Sequence, residues 1–264
     1  MTANLSNGQE LFLKKNRRNS KVIFFTRIFI LIGFLLFWEL SANMGFIDSF
    51  FFSSPSRVIT LFAKMFETHN LAHHIGITFL ETIISFILVF IISLFTATLL
   101  WAYKGFSDVF DPYLVVLNSL PKSALAPLFI VWLGTGMKTI IVAGISVALF
   151  GSIISFYTGF MQCEPEKITL IKTLGGNKKD VFIKVVLPGS LKTLLATSKV
   201  NIGLSLVGVI IGEFLAARQG LGYLIVYGSQ VFQLNLVITS ILILCVMAFG
   251  FYELIQMIEK KLKL

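Results

Sequence analysis

The chain has 264 residues and a net charge of +9; 56% of its residues are hydrophobic and only 13% are charged. Because a soluble domain carries about 25% charged residues, this composition excludes a soluble enzyme, a nucleic-acid-binding domain and a disordered chain. It indicates an all-α integral membrane protein whose apolar side chains face lipid. The two cysteines, Cys163 and Cys245, lie far apart in the sequence, so neither a disulfide framework nor a metal site is expected.

Six apolar stretches are long enough to cross a bilayer as helices. Five basic residues within 14–21 precede the first stretch, which is longer than the core of a signal peptide, so residues 1–21 are predicted to be a cytoplasmic tail and the first span to be uncleaved. A single transmembrane domain over 22–264 would follow. The predicted spans are 22–40, 78–103, 112–133, 138–160, 192–214 and 234–256. Proline, lysine and glycine interrupt the third and fifth, which are therefore expected to face protein or water.

The distribution of basic residues predicts the orientation of the spans. Fifteen lysines and arginines fall on the side that holds both termini, and four fall on the opposite side. Cytoplasmic loops carry the excess of positive charge, so both termini are expected in the cytoplasm of a multi-pass protein.

Polar residues within the predicted spans are candidates for a solute pathway. Lys122 could instead pair with Glu81, Lys199 could reach the cytoplasmic interface, and polar atoms near Pro121 could bond to backbone groups freed by the proline. The spacing of Gly208 and Gly212 suits close helix packing at a dimer or bundle interface. The candidate pathway residues are Asn118, Pro121, Lys122, Ser123, Lys199 and Glu213.

The loop 41–75 is long enough for short interfacial helices. Ser54 is suited to cap one of them, with Pro55 at its first position. His69 and His73 could share a helix face and bind a metal, although ordinary surface histidines fit the sequence better.

The loop 161–190 is predicted to form two short helices. Pro165 suits a first helical position, and Glu164 and Glu166 place negative charge near a helix N-terminus. Gly175-Gly176 should end the first helix. Asn177 should cap the second helix, with Asp180 at its third position, and Pro188 should end it. The alternative is an amphipathic connector that lies on anionic lipid headgroups.

Several motifs resemble one family. Gly175, nine residues and then Val185-Val-Leu-Pro188 are similar to the cytoplasmic loop of permeases of ATP-binding cassette (ABC) importers, in which a glycine precedes Ile-x-Leu-Pro by nine residues. Thr169, Leu170 and Ile171 occupy the family's Glu-Ala-Ala positions, which leaves the role of the missing glutamate open. The segments 54–56, 111–112, 120–128, 132–136 and 220–223 resemble the nitrate/sulfonate/taurine/bicarbonate subfamily.

The resemblance implies a six-span type I importer domain that serves as a permease subunit. It also implies a second permease copy in a dimer, a cytoplasmic ATP-binding subunit, an extracytoplasmic solute-binding protein and the cell membrane of a prokaryote. The solute would be a small organic or inorganic anion such as a sulfonate, taurine, nitrate or bicarbonate, or a thiamine-precursor pyrimidine. The residues expected to couple to the ATPase are Glu164, Glu166, Thr169, Leu170, Leu174, Gly175, Gly176, Lys178, Asp180 and Pro188.

The sequence contains no Gly-x4-Gly-Lys-Ser/Thr phosphate loop, so ATP hydrolysis and its cofactors are not expected in this chain. That observation also fits a stand-alone ion-coupled secondary transporter or channel. Such proteins usually show inverted repeats or more spans, which the sequence does not indicate. An integral-membrane enzyme would need a cluster of acid, base or metal-binding residues, and none is visible in the sequence.

Overall fold

The computed structural model describes residues 7–68 and 71–261, and within them every regular element is a helix. A π-helical turn, Phe182–Val186, lies between α9 and α10. The α-helices in chain order are α1 (Asn7–Asn43), α2 (Ser49–Phe52), α3 (Pro55–Thr68), α4 (Leu71–Ala102), α5 (Lys104–Ser119), α6 (Lys122–Leu133), α7 (Met137–Met161), α8 (Pro165–Thr173), α9 (Lys178–Val181), α10 (Leu187–Ala216), α11 (Leu221–Gln230) and α12 (Leu234–Lys261).

Within the described residues, five helical segments are long and apolar enough to cross a membrane, and one bent pair of helices makes a sixth crossing if the pair is a single broken span. The pair is α5 and α6, which meet at an angle of 94°. The break lies at Leu120 and Pro121, as the proline predicts. The five straight segments are Phe25–Asn43, Leu71–Ala102, Met137–Met161, Lys178–Ala216 and Leu234–Lys261.

The chain divides into two compact units, Met1–Ala63 and Lys64–Leu264. In the first unit α1 runs from Asn7 to Asn43, and Phe25–Asn43 is the part that is apolar enough to cross a membrane. Ser54 caps α3 as predicted, since its Oγ accepts a hydrogen bond from the Arg57 N–H at 3.5 Å and Pro55 is the first helical residue. The Glu39 carboxylate accepts hydrogen bonds from Ser56 N–H and Oγ at 3.0 and 2.8 Å, which connects α1 to α3.

The second unit is organised around α7, which packs against α4 and α10. Glycines permit the close approach of α10: a Cβ at Gly208 would lie 2.7 Å from the Ala143 carbonyl oxygen and from the Gly144 Cα, and one at Gly212 would lie 2.9 Å from the Ile140 Cα. The sequence left open whether these two glycines pack at a dimer interface or within the bundle. The structure places them within the bundle.

The two interrupted spans differ in burial. The prediction of an interior position is confirmed for α10, which has buried residues along its length. In α5 and α6 only Ser107, Leu114 and Ala126 are buried within the single chain, so for this span the expectation of facing protein or water stays a prediction.

Pro188 does not end the helix that follows Asn177, so this prediction was wrong. The chain stays helical from Lys178 to Ala216 through the π turn, and the Leu187 N–H bonds to the Phe182 carbonyl oxygen five residues earlier. A proline ring clashes with the carbonyl four residues before it. Pro188 instead lies in the first turn of α10, directly after the π turn, where a missing backbone N–H is tolerated.

Candidate functional site

The segment between α8 and α9 forms a sharp, fixed turn. Gly175 has φ +81°, as its expected role at a helix terminus requires. Its N–H bonds to the Lys172 carbonyl oxygen at 3.0 Å, and the Gly176 N–H bonds to the Ile171 carbonyl oxygen at 2.9 Å. These two bonds form a Schellman motif. A Cβ on Gly176 would lie 2.5 Å from the Ile171 side chain, so neither glycine can be replaced without strain.

The capping box predicted at the start of α9 is confirmed. The Asn177 side-chain oxygen accepts a hydrogen bond from the Asp180 N–H at 2.9 Å, and the Asp180 carboxylate accepts one from the Asn177 N–H at 3.0 Å. Asp180 also forms an ion pair with Lys184 at 3.2 Å. The direction in which α9 leaves the turn is therefore fixed by local bonds.

The two helices of this segment have different surroundings. Val181 of α9 and Val186 of the π turn are buried in a cluster with Phe156 and Phe160 of α7. In α8, by contrast, no residue is fully buried. The segment is therefore anchored through α9, whereas α8 projects from the bundle.

The apolar residues of α8 face in two directions. Ile168 and Ile171 are half-buried against the cluster below. Leu170 of α8 and Leu174 just after it are 58% and 74% exposed. Thr169 donates its hydroxyl to the Pro165 carbonyl oxygen at 2.9 Å. This bond lies within α8 and leaves the role of the family's glutamate open.

Charged groups surround the exposed leucines. Glu164 and Lys167 form an exposed ion pair at 3.0 Å. The Lys178 ammonium donates to the Ala102 carbonyl oxygen and lies 5.5 Å from the centre of the Tyr103 ring, so it connects α9 to the end of α4. Beneath α8, burial raises the pKa of the Cys163 thiol. We call the surface formed by the exposed residues Glu164, Glu166, Leu170, Leu174 and Lys178 and the half-buried Asp180 the coupling surface.

A buried carboxylate cluster lies where α4 begins and α10 ends. Glu213 of α10 is 1% exposed. Its Oε1 accepts a hydrogen bond from the Thr78 hydroxyl at 2.6 Å, and its Oε2 accepts one from the Gly222 N–H at 2.5 Å. Thr78 in turn accepts the Leu221 N–H at 2.8 Å. The Glu213 carboxyl group therefore joins α4 and α10 to the N-terminus of α11.

Two histidines of α4 lie beside this cluster. His74 Nδ1 accepts the Gly220 N–H at 2.9 Å, and its ring stacks on Tyr223 with centroids 6.1 Å apart. His73 Nε2 lies 3.0 Å from Gln219 Oε1. His69, the other member of the predicted metal-binding pair, lies outside the described residues. Among the residues described, no group of three or more histidine, cysteine or acidic side chains could hold a metal ion.

A second carboxyl group adjoins Glu213. Glu81 of α4 is 2% exposed, and its carboxyl neighbours that of Glu213. No group in the described part of the chain donates a hydrogen bond to Glu81 Oε2. Glu81 lines a cavity of about 520 Å³, together with Ile77, Leu80, Thr135, Gly136, Met137, Ile140, Ala216, Ala217, Arg218 and Gln219.

The candidate pathway residues of the third span lie at the break between α5 and α6. The Lys122 ammonium donates to the Asn118 carbonyl oxygen rather than to Glu81. The Ser119 hydroxyl bonds to the Val115 carbonyl oxygen at 2.9 Å. These contacts satisfy carbonyl groups near the proline, as proposed for such breaks. Asn118, Pro121 and Ser123 are exposed.

The remaining pathway candidates are apart from this break and from each other. Lys199 forms an ion pair with Glu259 of α12 at 2.5 Å and lies 5.7 Å from the centre of the Tyr252 ring. Glu213 belongs to the carboxylate cluster and does not line the cavity. The sequence reasoning missed Glu259 and Thr78. The sequence did contain a signal for Glu259: its charge is opposite to that of Lys199, and the two residues lie near the same ends of their spans.

Comparison with known proteins identifies the family. Residues 90–264 match the family described as the binding-protein-dependent transport system inner membrane component. The chain belongs to this family. It is therefore a multi-pass membrane subunit of a transport system and belongs to a family of permeases rather than of enzymes.

Relatives with transport functions cover most of the chain. A Haemophilus influenzae protein named "Probable ABC transporter permease protein" is 29% identical over 81% of this chain and 87% of its own length. The formylaminopyrimidine transport permease protein ThiX of Halalkalibacterium halodurans is 28% identical over 72% and 75% of the two chains. The taurine transport system permease protein TauC of Escherichia coli is 22% identical over 81% and 80%.

A solved structure confirms the fold. A chain of the MetNI methionine ABC transporter, described as inward facing, superposes with a TM-score of 0.66 at 18% identity. The match covers 74% of this chain and 96% of that one. The predicted all-α type I importer fold is thus confirmed, and the chain is a permease subunit of an ABC importer.

Proposed function

We propose that this permease works with a separate cytoplasmic ATPase that docks on the coupling surface. The observation that carries the proposal is the exposure of Leu170 and Leu174 on a helix whose orientation is fixed by the Gly175 turn. Apolar side chains that are exposed on a rigid element are typical of a binding site for another protein. A connector lying on lipid headgroups would not need the Schellman motif and the capping box that fix the angle between α8 and α9.

The broken third span supports a second copy of the chain as a partner. Non-helical backbone at membrane depth is tolerated only where protein or water covers it. The backbone break at Leu120 and Pro121 is exposed in the single chain, together with Asn118 and Ser123. A second permease copy would cover this region and would place the polar atoms of both breaks beside a shared pathway.

The proposed solute is a small organic or inorganic anion, such as a sulfonate, taurine, nitrate or bicarbonate, or a thiamine-precursor pyrimidine. The names of the taurine and formylaminopyrimidine relatives support this range. An extracytoplasmic solute-binding protein would deliver the solute, in keeping with the family description. The cell membrane of a prokaryote is the proposed location.

The charge distribution supports the proposal that both termini and the coupling surface lie in the cytoplasm. Cysteine labelling tests this orientation after Cys163 and Cys245 have been replaced by serine. A cysteine at Asn177 should react only with a reagent that reaches the cytoplasm, and one at Thr135, in the turn between α6 and α7, should react from outside. Labelling of both positions from the same side would contradict the proposed topology.

Docking of the ATPase is tested by substitutions that leave the fold intact. Leu170→Glu and Leu174→Glu each place a charge on an exposed position, so membrane abundance should stay unchanged while co-purification of the ATPase falls about tenfold or more. Gln162→Glu is the matched control, because it adds the same charge to an exposed residue outside α8. Undiminished co-purification and uptake in both leucine variants would show that the loop is only a connector.

A further inference from the structure

The helix α3 has three faces within residues 55–63, because successive side chains of an α-helix are about 100° apart. On the first face, Val58 is buried and Leu61 is half-buried. The second face is polar and exposed, and its members are Ser56, Arg57 and Thr60. The third face is apolar and exposed, and its members are Ile59, Phe62 and Ala63. A helix that only covers a core needs one apolar and one polar face. The additional exposed apolar face therefore indicates contact with a further apolar environment.

The segment before α3 also exposes large apolar side chains. Phe46 is 78% exposed, which is even more than the 69% of Ile59 in α3. The short helix α2 adds three more exposed phenylalanines. We call these side chains, together with the two largest of the third face, the exposed apolar set; its members are Phe46, Phe50, Phe51, Phe52, Ile59 and Phe62. So many exposed apolar side chains within 17 residues are unfavourable in water.

Hydrogen bonds hold α2 and the start of α3 at the C-terminal end of the α1 span. The Trp38 indole N–H donates to the Phe52 carbonyl oxygen at 3.3 Å. The Glu39 carboxylate accepts the two bonds from Ser56 described above. Trp38 and Glu39 lie near the end of Phe25–Asn43, the part of α1 that can cross a membrane. The exposed apolar set is therefore held close to the level at which α1 leaves the bilayer.

Lipid is the partner that fits this position best. Residues 25–37 of α1 are exposed on every side of the helix in the single chain, as a lipid-facing span should be. The exposed apolar set continues this surface, and Trp38 lies at the depth where aromatic side chains are common in membrane proteins. A soluble protein that binds and leaves would return the phenylalanines to water each time it detached. A bilayer covers them permanently.

We infer that α2 and the first turns of α3 lie in the membrane interface at the C-terminal end of the α1 span, with the exposed apolar set inserted among the acyl chains. The three faces of α3 then contact protein, lipid and water respectively, as in a helix that lies in the plane of the interface. Arg57 and Thr60 face the headgroups and the water. Because Trp38 and Glu39 are bonded to this segment, the segment fixes the depth of α1 in the bilayer.

Spin labels on the full-length permease measure the depth of the set. Cys163 and Cys245 are replaced by serine, and single cysteines are introduced by Ile59→Cys in α3 and Phe51→Cys in α2. Thr60→Cys is the matched control, because Thr60 is exposed on the polar face directly beside Ile59. The variants are reconstituted in vesicles of phosphatidylethanolamine and phosphatidylglycerol. Collision rates with oxygen, which concentrates in acyl chains, are compared with those of a nickel chelate that stays in water.

The labels at Ile59 and Phe51 should collide mainly with oxygen and should lie about 5–10 Å below the lipid phosphates. The label at Thr60 should collide mainly with the nickel chelate and lie at or above the phosphates. Lipids labelled at known depths calibrate the scale. All three variants should keep the helix content and elution volume of the cysteine-free permease, because each position is exposed.

Two results would overturn the inference. Nickel access at Ile59 and Phe51 as high as at Thr60 would place the exposed apolar set in water, as expected of a face that receives a detachable protein. Little access of either reagent to these two labels would show that protein covers the set. Narrowing of their spectra on dilution with unlabelled permease would then identify that protein as a second copy of the chain. Both results leave the proposed docking of the ATPase untouched, because they concern a different surface.

Discussion

The coupling surface is exposed, whereas the carboxylate cluster is buried and hydrogen-bonded within the chain. In the coupling surface, local backbone bonds fix the angle of α8, and Leu170 and Leu174 remain exposed. In the carboxylate cluster, the Glu213 side chain is buried and is paired with donors from α4 and α11. The first region is rigid and open, as a docking site must be. The second is held closed by the chain itself, so movement there must first break internal bonds.

The largest effect on stability is expected from a substitution that disrupts the carboxylate cluster. In Glu213→Ala, the Thr78 hydroxyl and the Gly222 N–H lose their buried acceptor, and the free energy of unfolding should fall by roughly 3–5 kcal/mol. Thermal unfolding of the purified protein measures the loss. Glu67→Ala is the control at an exposed position and should have almost no effect. Equal stability of the two variants would show that the cluster does not hold α4, α10 and α11 together.

The next effect concerns the glycine at the edge of the cluster. Gly220 has φ +110°, and a Cβ there would lie 2.5 Å from the Glu213 carboxyl. Gly220→Ala should therefore lower the unfolding free energy by roughly 2–3 kcal/mol, which combines backbone strain with a steric conflict. Gly134→Ala is the matched control, because Gly134 has φ +77° with nothing within 4 Å of its Cβ position. The comparison is contradicted if the control loses as much stability as Gly220→Ala.

A smaller effect on stability is expected at the glycine of the coupling surface. A Cβ at Gly175 would meet nothing within 4 Å, so Gly175→Val should cost only the strain of its positive φ, about 1 kcal/mol. The protein should stay in the membrane at normal abundance, but the changed angle of α8 should abolish co-purification of the ATPase and uptake. Normal uptake by this variant would refute the need for a fixed angle.

The smallest effect is expected from the capping box. Asn177→Ala removes the acceptor of the Asp180 N–H, which typically costs about 1 kcal/mol of local helix stability. Because Val181 and Val186 still anchor the segment, the thermal midpoint should hardly change. The affinity for the ATPase should fall only a few-fold, which a titration of the purified permease can detect. A complete loss of binding would place Asn177 itself in the interface.

Sequence reasoning succeeded where structure depends on neighbouring residues. The turn at Gly175, the cap at Asn177 and the break at Pro121 are each determined by residues within a few positions. The end of the helix at Pro188 was predicted wrongly because a proline normally marks a boundary, and nothing in the local pattern indicates the π turn that precedes it.

The carboxylate cluster shows why contacts between residues far apart in the sequence could not be predicted. Thr78 and Glu213 are 135 positions apart in the sequence, and their hydrogen bond exists only because α7 brings α4 and α10 together. From sequence alone, an acidic residue near the end of a span is equally suited to the membrane interface and to a buried site. The structure resolves this choice through distance and burial.

The π turn at Phe182–Val186 also has an evolutionary consequence. It contains one residue more than an α-helical turn, and one residue corresponds to about 100° of rotation about the helix axis. A single insertion or deletion at this point would therefore turn Val181 away from Phe156 and Phe160, so the length of this turn cannot change without detaching the docking face from the bundle.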